Sequence, residues 1–151
     1  MTETGQGTHE RDGALRAQAR AWQELTLAKP PMEPRARELW LQHAAGKILF
    51  ERVRAAGLAH PDPGLPLATR EVAEAAVDHA LYALMMLIDG VSPHLRGDGQ
   101  EVRLKFVVQL VDADGKVEDE LDLSAGDGMC MGFHGWRNGD FGKEPVVVDP
   151  G

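Results

Sequence analysis

His43, Asp78, His79 and His134 carry the side chains best suited to holding a metal ion or moving a proton. A catalytic zinc takes three protein ligands and keeps a fourth position for water. The spacing argues against such a centre: the chain has no His-Glu-x-x-His, no Glu-x-x-His and no Cys-x-x-Cys. Asp78 and His79 are adjacent, so on a helix they point about 100° apart and do not share one ion. The expected reading is a surface aspartate beside a hydrogen-bonded core histidine, with no metal and no cofactor. Cys130 and His134 stand four residues apart, the spacing of a nucleophile and its base on one helix face. A catalytic thiol also needs a lowered pKa and an oxyanion site, and neither is readable here. Cys130 lies between Met129 and Met131, which suits a small buried side chain better. Asp112-Ala-Asp114-Gly115 opens like a calcium loop, but its glycine comes early and the residues after it alternate like a strand. A hairpin turn is expected there. No residue is assigned a catalytic role.

Binding chemistry has better candidates. Glu118, Glu120 and Asp122 alternate along one segment and would line one face of a strand. Downstream, Gly126–Gly142 (GDGMCMGFHGWRNGDFG) holds six of the 17 glycines together with Phe133, His134, Trp136 and Phe141. So many large apolar side chains do not suit a linker, and so many glycines do not suit a regular element. The expectation is a segment held by tertiary contacts, with glycine where the backbone turns or packs closely. Tryptophan is a favoured interface anchor, so Glu118, Glu120, Asp122, His134 and Trp136 form the candidate partner-binding set. The competing reading puts Trp136 and its neighbours in the core.

These residues need elements to position them. Met1–Gly13 reads as a flexible tail and residues 14–151 as a single α+β domain. Ala14–Lys29 has Leu15, Ala19, Trp22 and Leu25 at helical spacing, ended by Pro30-Pro31. Ala36–Ala56 carries an apolar stripe through Leu41, Ala44, Ala45, Ile48, Leu49 and Val53, and Gly57 is expected to stop it. Thr69 is the expected N-cap of a third helix running to Asp89-Gly90. Its last turns, ALYALMMLI, are apolar on every side, so burial of Leu84 and Leu87 is expected. Val102–Leu110 alternates with Arg103, Lys105 and Gln109, and Val117–Leu123 alternates with acidic residues, predicting an antiparallel hairpin. A short helix near Met129–Trp136 and an edge strand at Val146–Val148 complete the pattern. The expected fold is three principal helices packed with a C-terminal hairpin and a Gly-rich aromatic segment.

Charge narrows the function classes. The net charge is −8, and it is uneven: residues 101–151 hold 11 acidic and 5 basic groups, while residues 35–70 hold 3 and 6. An acidic surface repels phosphate and disfavours nucleic acid. Leu67–Ala76 resembles the opening of a helix-turn-helix, but it runs on into the apolar stretch instead of a turn and a recognition helix. The longest apolar run, Ala80–Ile88, is too short for the roughly 20 residues of a membrane span. The polar start lacks a secretory pattern and one cysteine excludes an internal disulfide, so a cytoplasmic protein is expected.

DHALYALMMLIDGVS (Asp78–Ser92), followed by a hairpin and a Gly/aromatic C-terminus, resembles small bacterial immunity proteins of toxin–immunity pairs. The resemblance spans roughly Glu74–Gly142 and carries no catalytic motif. It implies a cytosolic binding protein that neutralises a partner. The expected function is therefore a non-enzymatic acidic inhibitor of a basic protein, such as a toxin domain. The alternatives are a small-ligand-binding or accessory domain and a small histidine-dependent hydrolase.

Overall fold

The computed structural model describes residues 25–59, 64–91 and 95–147. The expected tail, and residues 14–24 of the first expected helix, lie outside the described residues. The fold is α+β: three helical stretches and two antiparallel strand pairs.

The first helical stretch opens at Pro34, whose fixed φ suits a first helical position. The Glu33 carboxylate accepts the N–H groups of Arg35 at 2.9 Å and Ala36 at 2.6 Å, satisfying two of the helix's orphan donors. Helix α1 (Pro34–Ile48) continues through a π-helical segment, Leu49–Arg54, into α2 (Ala55–Leu58). Gly57 therefore does not stop the helix. It lies inside α2, where an added Cβ would come within 3.2 Å of Val77, so the glycine serves a close approach. Helix α3 (Leu67–Ile88) starts two residues before the expected cap. Thr69 sits in its first turn and donates its N–H to the Pro66 carbonyl at 3.0 Å. The helix ends at Gly90, whose φ of +73° suits glycine.

The chain divides into two compact units. The described part of the first is the segment Ile48–Leu81 without residues 60–63. Its polar centre is Arg54, which donates to Asp78 through Nε at 2.6 Å and to Glu74. Asp78 is only 4% exposed, so a buried carboxylate meets a fixed guanidinium. This reverses the expectation for the pair: Asp78 is the buried member and His79 is exposed.

The second unit holds Leu25–Lys47 and the described residues from Tyr82 onward. Strands β1 (Leu95–Gly97) and β2 (Gln100–Val102) form a tight hairpin about Asp98-Gly99, both at positive φ. Strands β3 (Val107–Val111) and β4 (Val117–Asp122) form the second pair. The turn between them is closed by Asp112 Oδ1, which accepts from the N–H groups of Asp114 and Lys116, both at 2.9 Å. The expected strand over Val102–Leu110 is thus two pieces: Val102 ends β2, and regular pairing resumes only at Val107. A short 3-10 turn (Leu123–Ala125) leads to helix α4 (Met129–Arg137). Residues 25–29, expected to end the first helix, are not helical: Leu27 pairs with Val146, and Ala28 donates to the Pro145 carbonyl at 2.9 Å. The Pro30-Pro31 pair disfavours helical backbone just before it, which leaves this segment free to pair.

The core of this unit collects Trp40 and Leu41 from α1, Met85 and Ile88 from α3, and Met129, Phe133 and Trp136 from α4. Burial of each such side chain contributes roughly 1.5–3 kcal/mol. Met85 and Ile88 are buried, whereas Leu84 and Leu87 are only half-buried. Leu87 borders an open cleft, so a run that is apolar all round is not buried all round. Among the described residues no helix is long and apolar enough to cross a membrane.

Candidate functional site: the acidic face of the second hairpin

In an antiparallel ladder, directly opposed residues share a face. Val108 opposes Leu121 and Leu110 opposes Asp119; Leu110 and Leu121 are buried, so this is the inner face. Val107 opposes Asp122 and Gln109 opposes Glu120, which makes these four the outer face. The register slips between Leu110 and Val111, leaving Glu118 as the extra residue beside Val111. Such a bulge re-aims a side chain. Glu118 and Glu120 are exposed, and Val107 and Val111 are 45% and 46% exposed. The second hairpin thus presents apolar and carboxylate groups side by side.

The carboxylates of β4 differ in what holds them. Asp122 accepts from Lys105 Nζ at 2.8 Å and from Ser124 Oγ at 2.7 Å and Ser124 N at 3.1 Å. The Lys105 ammonium, then the Ser124 donors, pull its pKa down to about 2. Asp119, on the inner face, lies 3.7 Å from Arg37. Glu120 accepts from Gln109 Nε2 at 3.0 Å, a neutral donor. Neither Glu118 nor Glu120 forms an ion pair among the described residues.

The other two candidates lie on α4. His134 is exposed, with its ring 5.7 Å from that of Tyr82. Trp136 is 1% exposed and belongs to the core. Its ring stacks on Phe141 with centroids 6.3 Å apart, and its Nε1 donates to His43 Nδ1 at 2.9 Å. A Cβ on Gly46 would come within 2.4 Å of the indole, so α1 is glycine where the ring lies against it. The structure therefore groups Glu118, Glu120 and Asp122 on β4, leaves His134 accessible on α4, and places Trp136 where no partner can reach it.

The catalytic alternatives can be judged on the same geometry. His43 is an acceptor for Trp136, and burial lowers its pKa against the pull of Asp140, Glu144 and Asp127. The Cys130 thiol is pushed up to about 11, by burial first and then by Asp89, so it stays protonated at neutral pH. No group of three metal-ligating side chains converges among the described residues.

Four residues contribute that the sequence does not single out: Val107, Val111, Asp89 and Gln42. Val107 and Val111 stand outside the expected alternating apolar face, and their exposure follows from which face the core claims. Asp89 was read as part of a helix end, yet its carboxylate accepts the N–H groups of Met129 at 2.7 Å and Cys130 at 2.9 Å and so caps α4. Gln42 bridges to the loop before α4, accepting from Asp127 N at 2.7 Å and donating to the Gly128 carbonyl at 3.1 Å. These two side chains fix α4 in the second unit, and neither carries a local sequence signal. Comparison of the chain with family models, curated proteins and solved structures finds no match.

Proposed function

We propose that this protein is a non-enzymatic acidic binding protein, an immunity- or antitoxin-like inhibitor that receives a basic protein partner on the outer face of β3 and β4. The observation that carries this reading is the exposure of Glu118 and Glu120 together with Val107 and Val111 on one short hairpin. Exposed carboxylates not tied up in ion pairs attract a basic surface over a distance. The valines supply apolar area that gains only on contact. The net charge of −8 adds a general field of the same sign. Asp122 contributes less than its neighbours, because Lys105 already neutralises it. His134 is an accessible candidate for the rim.

The test uses the full chain as bait in lysate of the source organism, in parallel with the folded Glu118→Lys/Glu120→Lys variant. A basic protein retained by the wild type and lost from the variant is the expected result. Equal retention of the same partner by both baits contradicts the assignment of this face.

A further inference from the structure

A cleft of about 600 Å³ opens between the C-terminal end of α3, the β1–β2 hairpin and the connector into β3. Its walls are mostly apolar: Leu87 and Ile88 from α3, Leu95 and Val102 from the first hairpin, and Leu104 from the connector. Leu95 and Val102 are directly paired across the strands, so they present one continuous surface. Leu95, Val102 and Leu104 are 74%, 64% and 65% exposed, unusual for three large apolar side chains gathered about one concavity. Small-molecule sites have this size and character: a largely apolar concavity of roughly 300–1,000 Å³ with a few placed polar groups.

The polar groups here are mainly cationic. Arg103 and Lys105 flank Leu104 and both line the cleft, with Asp122 and Ser124 beside them. Each cation has a carboxylate partner, Glu101 for Arg103 and Asp122 for Lys105, but the two cationic side chains remain 66% and 71% exposed. Cationic groups this exposed keep N–H donors facing water that a second anion can use. A carboxylate brought in on an apolar chain would take charge-assisted hydrogen bonds from both cations while the chain covered the exposed leucines and valine.

We propose that this cleft is a binding site for a small amphiphilic anion, an alkyl carboxylate of medium chain length. Its chain lies along Leu87, Ile88, Leu95, Val102 and Leu104, and its head group sits between Arg103 and Lys105. The site adjoins the acidic face proposed for a protein partner and shares Asp122 with it, but does not use Glu118 or Glu120.

The test is a titration of the full chain with decanoate below its micelle concentration, read through the methyl resonances of leucine, isoleucine and valine. Decanol and decyltrimethylammonium serve as probes with the same chain and a different head. The expected result is a saturable shift confined to the cleft methyls, with decanoate binding at least about tenfold more tightly than either probe. Arg103→Ala/Lys105→Ala, both surface changes, should reduce decanoate to the affinity of decanol and leave decanol unchanged. Shifts spread over the whole molecule, equal binding of the three heads, or no saturation below about 1 mM would each overturn the proposal. Saturation by an apolar peptide but not by decanoate would overturn it too, by assigning the cleft to a protein segment.

Discussion

Trp136 shows how far one side chain's role depends on its surroundings. Its residue type fits an interface anchor, yet the indole is buried, stacked on Phe141 and hydrogen-bonded to His43. The sequence shows glycines at 46 and 132 but cannot show that both leave room for the same ring. Trp136→Ala should therefore cost about 3–5 kcal/mol in denaturant melts, as large core truncations do. A loss below about 1 kcal/mol would place the ring outside the core. His43 gives a second prediction, from pH. Its Nδ1 accepts a hydrogen bond from Trp136, and burial holds its pKa below 6.5. Folding then favours the neutral ring. The resulting stability is complete above 6.5 and is lost as pH falls through the folded value. The Asp122 contribution is lost in a separate, more acidic window, from 3.8 down to about 2. His43→Asn keeps an acceptor for the indole and removes the titration. It should abolish the first loss in pH-dependent melts and leave the second; persistence of the first would exclude His43 as its source.

At the scale of elements, what was legible followed from local pattern. The apolar stripe of α1, the long α3, the period-2 alternation of β4 and the Asp112–Gly115 turn all carry their own signals, and each element is present. The errors arose where distant contacts decide. Gly57 leaves room for Val77 inside a helix instead of ending it, and the segment before Pro30 is extended where Val146 pairs with it. The β1–β2 hairpin had a local signal that was overlooked: Asp98-Gly99 suits a two-residue turn with both residues at positive φ. Helix α4 is the clearest case of long-range control. With glycine at its N-cap position it has no cap of its own, and Asp89, 40 residues upstream, supplies both acceptors. Asp89→Ala should cost about 0.5–2 kcal/mol and speed amide exchange first at Met129 and Cys130. Unchanged exchange at those two amides would show that the carboxylate does not hold the helix.

For the whole molecule, the uneven charge is readable from composition. The candidate site was only partly readable. Alternation places Glu118, Glu120 and Asp122 on one strand face, but shows neither which face the core takes nor that Lys105 pairs with Asp122 rather than with either glutamate. If those glutamates steer a basic partner, the rate of association with the captured partner must depend on ionic strength. At physiological salt the field of exposed charges is screened within about 8 Å, so steering shows as a rate that falls as salt rises. Glu118→Lys/Glu120→Lys should slow association and flatten its salt dependence, with the melting temperature kept. An association rate and salt slope equal to those of the wild type, in folded variant, would contradict it.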